Sequence, residues 1–367
     1  MTDLPGLAIV STPLQWINAQ EAIHEFELDG SIIVVLSRDY QKSAFAELPC
    51  SSRLAGWRFY QAPGKNEARP WRRLKRGRRS FQEGGLVRKV IRELPSSNPE
   101  TLILGHSRDV LHRAIGNSLS AARYLLVDDG AQIMNTIEDF RNSELQAPSK
   151  KFGTRILEYL AKLDTTEFPT CELFTAYDVI EPSLKIHANR YEWLRTYLRG
   201  KMEIRDEVWI VGQYFYQFGM MKAEDYFENL VWLVEQFYSK YQVSYILHPR
   251  ETWSVRLERL SDYGVKPLRL CRSIELEILF NMSCPDRIAT YYSSVFQNSQ
   301  AMFGNVIGFD IVDPEPAQWQ TAHARQLVGP PYRYLRAKAV NPHRLLRPRI
   351  SGDQGDAALN KSQPSVV

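Results

Sequence analysis

The sequence predicts an α/β protein built from two doubly wound parallel sheets in tandem. Three observations carry this. Short β-branched apolar runs alternate with helical patterns through the N-terminal half, and the same alternation begins afresh near Glu207. The 367 residues leave room for two domains of ~150 residues each. Hydrophobic residues make up 44% of the chain, so each half can bury a core.

The first strand is expected over Leu7–Ser11, and a helix starts near Pro13. Thr12 is a favoured N-cap, Pro13 suits the first helical turn, and Gln15 completes a T-x-x-Q capping box. Further strands are expected at Ile32–Leu36, Trp57–Gln61, Thr101–Leu104 and Tyr124–Val127, with a helix over Ser107–Ser118. The stretch from Ala147 to Arg205 reads as mostly helical and irregular. The second half then gives strands at Glu207–Val211, Val243–Leu247, Pro267–Leu270, Arg287–Tyr291 and Val306–Ile311. Helices are expected at Lys222–Tyr238, Thr252–Ser261, Ser273–Asn281 and Ser293–Phe303.

This pattern divides the chain into an N-terminal domain over 1–180 and a C-terminal domain over 205–330. A return segment over 331–350, led by Pro330-Pro331-Tyr332, and a disordered tail over 351–367 follow. Two such domains imply a cleft between them, with ligands outside the carboxyl ends of the strands. That is the GT-B architecture, which other two-domain α/β proteins share, so the fold does not establish the function.

Net charge is only +4, yet eleven Lys or Arg fall between Lys65 and Arg92 against Glu67 and Glu83. Such a cluster suits phosphate, an acidic glycan or anionic lipid. A solvated loop is the competing reading. Cys50, Cys171, Cys271 and Cys284 show no metal spacing, so free thiols in a reducing compartment are expected. The opening MTDLPGLAIVSTPLQW carries no charged leader, and no stretch approaches the ~18 apolar residues of a membrane span. The expectation is a cytoplasmic protein, held peripherally at the inner membrane face by its 65–92 segment.

Three polar groups stand at predicted strand ends. Asp128-Asp129-Gly130 follows the strand Tyr124–Val127; adjacent carboxylates raise each other's pKa, which suits a general base. On spacing alone an Asp N-cap on a helix from Ala131 is the simpler reading. His248-Pro249 ends Val243–Leu247 with Arg250 beside it, and a His⁺ there can hydrogen-bond a phosphate and protonate it as it leaves. Ser293-Ser294 precede a helix, where hydroxyls and unpaired backbone N–H groups make a phosphate site or a plain N-cap. Gly-His-Ser at 105–107 is no nucleophile elbow, and His106 reads as a helix-start residue. Trp209, Tyr214, Phe215 and Tyr216 read as core packing before base stacking.

The order LLVDDG, ILHPRE, YYSSVF resembles the D/E-D/E-G, HP and paired-Ser motifs of bacterial sialyltransferases and polysialyltransferases, over about residues 7 to 311. STPLQWINAQEAI also resembles their first strand-turn-helix. The resemblance implies an inverting, metal-independent transfer of sialic acid, or a related nonulosonic acid, from a CMP-sugar to a glycan hydroxyl. It implies one Asp of the pair as general base, Asp128 before Asp129, and His248 as acid or electrostatic partner of the CMP phosphate. Ser293 and Ser294 would bind that phosphate, and Glu277, with Glu275 as runner-up, the cytidine ribose. Gly130, Gly212, Gln213 and Pro249 would line the donor site. No cofactor or metal is expected, since CMP-sugars lack the diphosphate and no D-x-D motif stands where one would be needed.

Two other readings stay open. One is a GT-B enzyme using a UDP- or GDP-sugar. The other is a non-enzymatic polyanion-binding protein built on residues 65–92, where Trp71 and Phe81 interleave with the cations. No RRM, helix-turn-helix or zinc pattern accompanies that segment, so nucleic acid is not expected as partner. An anionic or lipid-linked glycan acceptor fits it better.

Overall fold

The computed structural model describes residues 4–64, 72–95, 98–129, 137, 152–165, 171–252, 254–291, 293–312, 320 and 343–345. The chain divides into two compact units. One contains Met1–Arg205, Leu270–Cys284 and Ser294–Ile307, the other Asp206–Arg269, Pro285–Ser293 and Gly308–Val367.

The first sheet has seven strands: β1 (Leu4–Val10), β2 (Ser31–Ser37), β3 (Leu54–Gln61), β4 (Pro99–Leu104), β5 (Arg123–Val127), β6 (Glu172–Thr175) and β7 (Ile186–Ala188). They lie in the order β3-β2-β1-β4-β5-β6-β7, and every pairing is parallel. Parallel central strands are covered on both faces, which is why their sequences run apolar without alternation. Leu7, Ala8, Ile9 and Val10 of β1 and Ile33, Val34, Val35 and Leu36 of β2 are all fully buried. Each such Val, Leu or Ile contributes about 1.5–3 kcal/mol relative to an exposed side chain.

Helices α1 (Pro13–Glu25), α2 (Ser43–Ala46), α3 (Arg72–Glu93), α4 (Val110–Ser118), α5 (Phe152–Leu160) and α6 (Glu192–Leu198) connect or flank these strands. Thr12 caps α1 as expected, its Oγ1 accepting from the Gln15 amide at 3.2 Å. The capping box does not close. Gln15 Oε1 accepts from the Ser11 amide at 2.7 Å instead, so the side chain is turned toward the end of β1.

Three further departures have local causes. Helix α4 starts three residues later than predicted, because Asp109 caps it by accepting from the Leu111 and His112 amides. The middle stretch holds two strands as well as helices, so the first sheet continues to Ala188, beyond the expected boundary at 180. The 72–93 segment is a helix, not a loop, although the side chains of its first six residues lie outside the described set.

The second sheet runs β10-β9-β8-β11-β12-β13. Its strands are β8 (Glu203–Val211), β9 (Gln242–Ile246), β10 (Val265–Leu268), β11 (Ser283–Thr290), β12 (Gly308–Val312) and β13 (His343–Leu345). Pairs β8·β9, β9·β10, β11·β12 and β12·β13 are parallel. Helices α7 (Ala223–Leu233), α8 (Val255–Arg259), α9 (Ile274–Asn281) and α10 (Ser294–Phe303) alternate with them, and α7 runs on into a π-helical turn at Val234–Tyr238. The fold class is therefore two Rossmann-like parallel sheets in one chain, as the sequence predicts. The segments carrying Glu275, Glu277 and Ser294 group with the first unit, not with the C-terminal 205–330 domain expected for them. Of the expected return segment, His343–Leu345 adds an edge strand to the second sheet; its other residues, and the 351–367 tail, lie outside the described set.

Candidate active site

In doubly wound sheets ligands sit outside the carboxyl ends of the strands where the strand order reverses. In the first sheet that point lies between β1 and β4. Ser11 follows β1, Gly105-His106 follow β4, and Asp128-Asp129 follow the neighbouring β5. Gln15 crosses this edge. A Cβ on Gly105 would stand 2.4 Å from Gln15 Oε1, so a larger residue would push the amide from this position. Gln15 also hydrogen-bonds the Asp129 carboxylate.

The two carboxylates have different surroundings. Asp128 is buried, its Oδ2 accepting from the Ala176 amide at 2.7 Å and its backbone carbonyl from Asn18 Nδ2 at 2.9 Å. Burial pushes its carboxyl up to about 7, partly offset by the Thr175 hydroxyl and the Ala176 amide. Asp129 keeps 24% of its side chain exposed, with Oδ2 3.8 Å from His106 Nε2. Burial raises its carboxyl as well, opposed by His106 and Gln15. His106 Nδ1 accepts from the Arg108 amide at 3.0 Å, so the neutral ring carries its proton on Nε2, the nitrogen nearer Asp129.

Geometry distinguishes the two carboxylates, of which the sequence put Asp128 before Asp129. A base must reach the proton that it removes. Asp128 is enclosed and tied to backbone, whereas Asp129 meets solvent beside a donor. Gly130 and the helix expected from Ala131 lie outside the described residues. His106 is no helix-start residue, because the Asp109 cap leaves it at the sheet edge. Sequence reasoning missed it, and its signal was its place directly after an apolar strand.

Around this edge the supporting groups are buried. His112 Nε2 lies 2.7 Å from Ser11 Oγ, and burial, opposed by Asp109, holds His112 down at about 4. Burial alone would raise the Asp109 carboxyl, but His112, Arg38 and the α4 amides hold it at about 2. Asn18 joins three partners: it donates to the Asp128 carbonyl, and its Oδ1 accepts from Tyr191 Oη at 2.6 Å and Asn189 Nδ2 at 3.2 Å. Asn18→Ala orphans buried groups, so unfolding free energy in urea is expected to fall by about 1–3 kcal/mol. An unchanged midpoint would show that the network does not hold the turn.

Asp128 gives a second stability prediction. An unfolded Asp titrates near 3.8, while folding raises this one to about 7. The folded state binds the proton more tightly, so the group's stabilising contribution is full below 3.8 and is lost as pH rises through 7. Asp128→Asn removes that dependence and keeps an acceptor for Ala176. The variant is expected to gain on wild type by a few kcal/mol, to order of magnitude, between about pH 4 and pH 8. Parallel urea midpoints across that range would contradict it.

Helix α10 is tied to the same loop. Gln297 Nε2 donates to the Ala176 carbonyl at 3.2 Å, and Tyr177 Oη donates to Asn298 Oδ1 at 3.1 Å. Asn298 Nδ2 in turn donates to Glu275 Oε1 at 2.9 Å. Glu275 is buried in this relay, whereas Glu277 is half-buried in the first turn of α9 and accepts from Asn281. Ser294 opens α10 and is exposed, and Ser293 precedes it half-buried.

In the second unit, Gly212-Gln213 follow β8 and His248-Pro249 follow its neighbour β9 by one residue. Glu251, which the sequence reading passed over, shapes this turn. Its Oε2 accepts from the His248 amide at 3.1 Å, and its Oε1 accepts from Tyr245 Oη at 2.7 Å. A Cβ on Gly212 would stand 2.5 Å from Tyr245 Oη and 2.7 Å from Glu251 Oε2, so Gly212 makes space for this pair. The Gln213 amide donates to Tyr226 Oη at 2.8 Å. His248 is half-buried, with its titration lowered by burial and then by Arg250. Its Nδ1 accepts from the Arg250 amide at 3.1 Å, so the neutral ring carries its proton on Nε2. Trp209 and Phe215 are core residues as read, but Tyr214 is not: its ring lies 4.4 Å from that of His248. Among the described residues no group of three His, Cys, Asp or Glu could hold a metal ion.

No family model and no curated protein matches the chain. Among solved structures, a UDP-GlcNAc 2-epimerase from Methanocaldococcus jannaschii matches at 13% identity and TM-score 0.45, over 84% of this chain and 83% of that one. The E. coli heptosyltransferase WaaC with ADP matches at 12% identity and TM-score 0.40, over 90% and 98%. A UDP-glucosyltransferase from Polygonum tinctorium matches at 11% identity and TM-score 0.43, over 84% and 80%. At these identities and scores none of the three bears on the substrate or chemistry of this chain.

Proposed function

We propose that the protein is an inverting glycosyltransferase that moves sialic acid, or a related nonulosonic acid, from a CMP-sugar to a hydroxyl of a glycan. The observation that carries the reading is the Asp129 carboxylate, raised above its ordinary range and partly open to solvent, 3.8 Å from His106 at the carboxyl edge of the first sheet. The CMP-sugar and sialic acid rest on the DDG, HP and SS motifs.

In this reading Asp129 takes the proton of the acceptor hydroxyl while the hydroxyl oxygen bonds to the anomeric carbon. His106 Nε2–H, 3.8 Å from Asp129 Oδ2, acts on the carboxylate electrostatically rather than through a direct hydrogen bond. The bond from that carbon to the phosphate oxygen breaks in the same step, so configuration inverts, and CMP leaves with the bonding electrons. Negative charge then grows on the phosphate. The HP and SS motifs assign His248 Nε2–H and the Ser293 and Ser294 hydroxyls as the donors for it. CMP carries one phosphate rather than two, so such donors can meet its charge without a metal. Glu277, less buried than Glu275 and not tied to Asn298, is the better candidate for the ribose hydroxyls.

Calorimetric titration with CMP, UDP and GDP tests the donor assignment. CMP is expected to bind most tightly. Tighter binding of UDP or GDP would give the site to a different nucleotide sugar. No nucleotide binding at all would favour a non-enzymatic polyanion-binding protein.

A further inference from the structure

Among the described side chains of helix α5 a carboxylate is buried and three apolar groups are exposed. Glu158 is buried and accepts from the Thr165 hydroxyl at 2.8 Å, and Ala161 just past the helix is buried too. The outward face carries Ile156, Tyr159 and Leu160, exposed by 41%, 82% and 56%. Their i, i+3, i+4 spacing places all three on one stripe. Exposed apolar residues grouped this way mark a contact surface, where scattered ones do not.

The helix packed beneath α5 is α3. The Ala161 carbonyl lies so close to Gly84 that a Cβ there would stand 2.1 Å away, and Arg88 Nη1 donates to the same oxygen at 2.9 Å. Over Arg72–Glu93 this helix has nine Lys or Arg against two Glu. Arg78, Arg88, Lys89 and Arg92 are exposed, and Phe81 stands among them at 49% exposure. Among the described residues no helix is long and apolar enough to cross a membrane.

We propose that α3 and α5 form a docking surface for an anionic phospholipid bilayer, with Ile156, Tyr159 and Leu160 entering the headgroup boundary and Arg78, Arg88, Lys89 and Arg92 meeting lipid phosphates. Charge complementarity selects this occupant. A second copy of this chain would set cationic face against cationic face, whereas an anionic bilayer satisfies both helices. Apolar insertion and a polybasic patch are each weak alone and add together. This inference does not depend on the glycosyl-transfer reading, because its test involves no nucleotide or sugar.

The test is sedimentation of the full chain with vesicles of phosphatidylcholine, with and without about one third phosphatidylglycerol. Binding is expected only with the anionic lipid and should weaken as salt rises. Arg78→Gln and Arg92→Gln should each weaken it about fivefold. Tyr159→Ser with Leu160→Ser should weaken it about tenfold or more; both side chains are exposed, so thermal stability should hold. Equal binding to neutral vesicles, or binding indifferent to the Tyr159 and Leu160 changes, overturns the proposal. So does release by millimolar glycerol phosphate, which would mark a free-phosphate site. A self-association lost in the Tyr159→Ser, Leu160→Ser variant, without vesicle binding, would assign the surface to a second copy.

Discussion

Asp129→Asn is expected to lower glycosyl transfer by about 10²- to 10⁴-fold, the usual contribution of a positioned general base. Asparagine keeps the shape and a hydrogen bond to Gln15 but cannot accept the acceptor's proton. Nucleotide affinity should be unchanged, because the assigned phosphate groups are His248 and the serines. The loss should therefore appear in kcat rather than in CMP binding. The raised Asp129 carboxyl adds a pH signature. Only the ionised form can act, so the rate should rise with pH through a midpoint above the ordinary carboxylate value. The control is Asp128→Asn, whose main effect should be on stability. If Asp128→Asn is the inactive variant and Asp129→Asn is active, the base assignment returns to Asp128.

His248→Ala is expected to cost about 10²- to 10³-fold in kcat/KM, the range for removing one donor to developing negative charge. The structure also changes how this residue should act. The sequence suggested a His⁺ that protonates the departing phosphate. Burial and Arg250 lower its titration below the usual 6.5, so the free site holds a neutral ring. A neutral ring whose Nδ1 is engaged by the Arg250 amide still offers Nε2–H as a donor. Wild-type transfer should then persist as pH rises past 6.5. A rate that collapses over that range, with the variant flat, would restore the role of protonated acid.

What the sequence made legible was mostly local. Thr12 and Pro13 announce α1 within four residues, and β1 and β2 are apolar runs that only a buried strand of that length explains. The strands β6 and β7, four and three residues long with no β-branched run, carry too little pattern to be seen. Helix α3 was obscured by its charge, although Arg, Lys, Leu and Gln are strong helix formers and could have been weighted as such. Within it Gly84 serves close packing on Ala161.

The site was legible in its positions and not in its roles. Asp128, Asp129 and His248 fall at strand ends as expected, yet adjacency in sequence hid opposite surroundings for the two Asp residues. One faces Ala176 and Asn18, the other His106, and these partners come from distant parts of the chain. Glu251 was hidden although its partners Tyr245 and His248 lie close by in sequence. Its hold on the His248 turn depends on Tyr245, and no spacing rule announces that.

The most direct test of the central claim is turnover of CMP-N-acetylneuraminic acid by the wild-type protein with glycan acceptors, followed through CMP release and product stereochemistry. Acceptor-dependent CMP release with inversion at the anomeric carbon is the predicted result. Consumption of a UDP- or GDP-sugar with the CMP-sugar left untouched would contradict it.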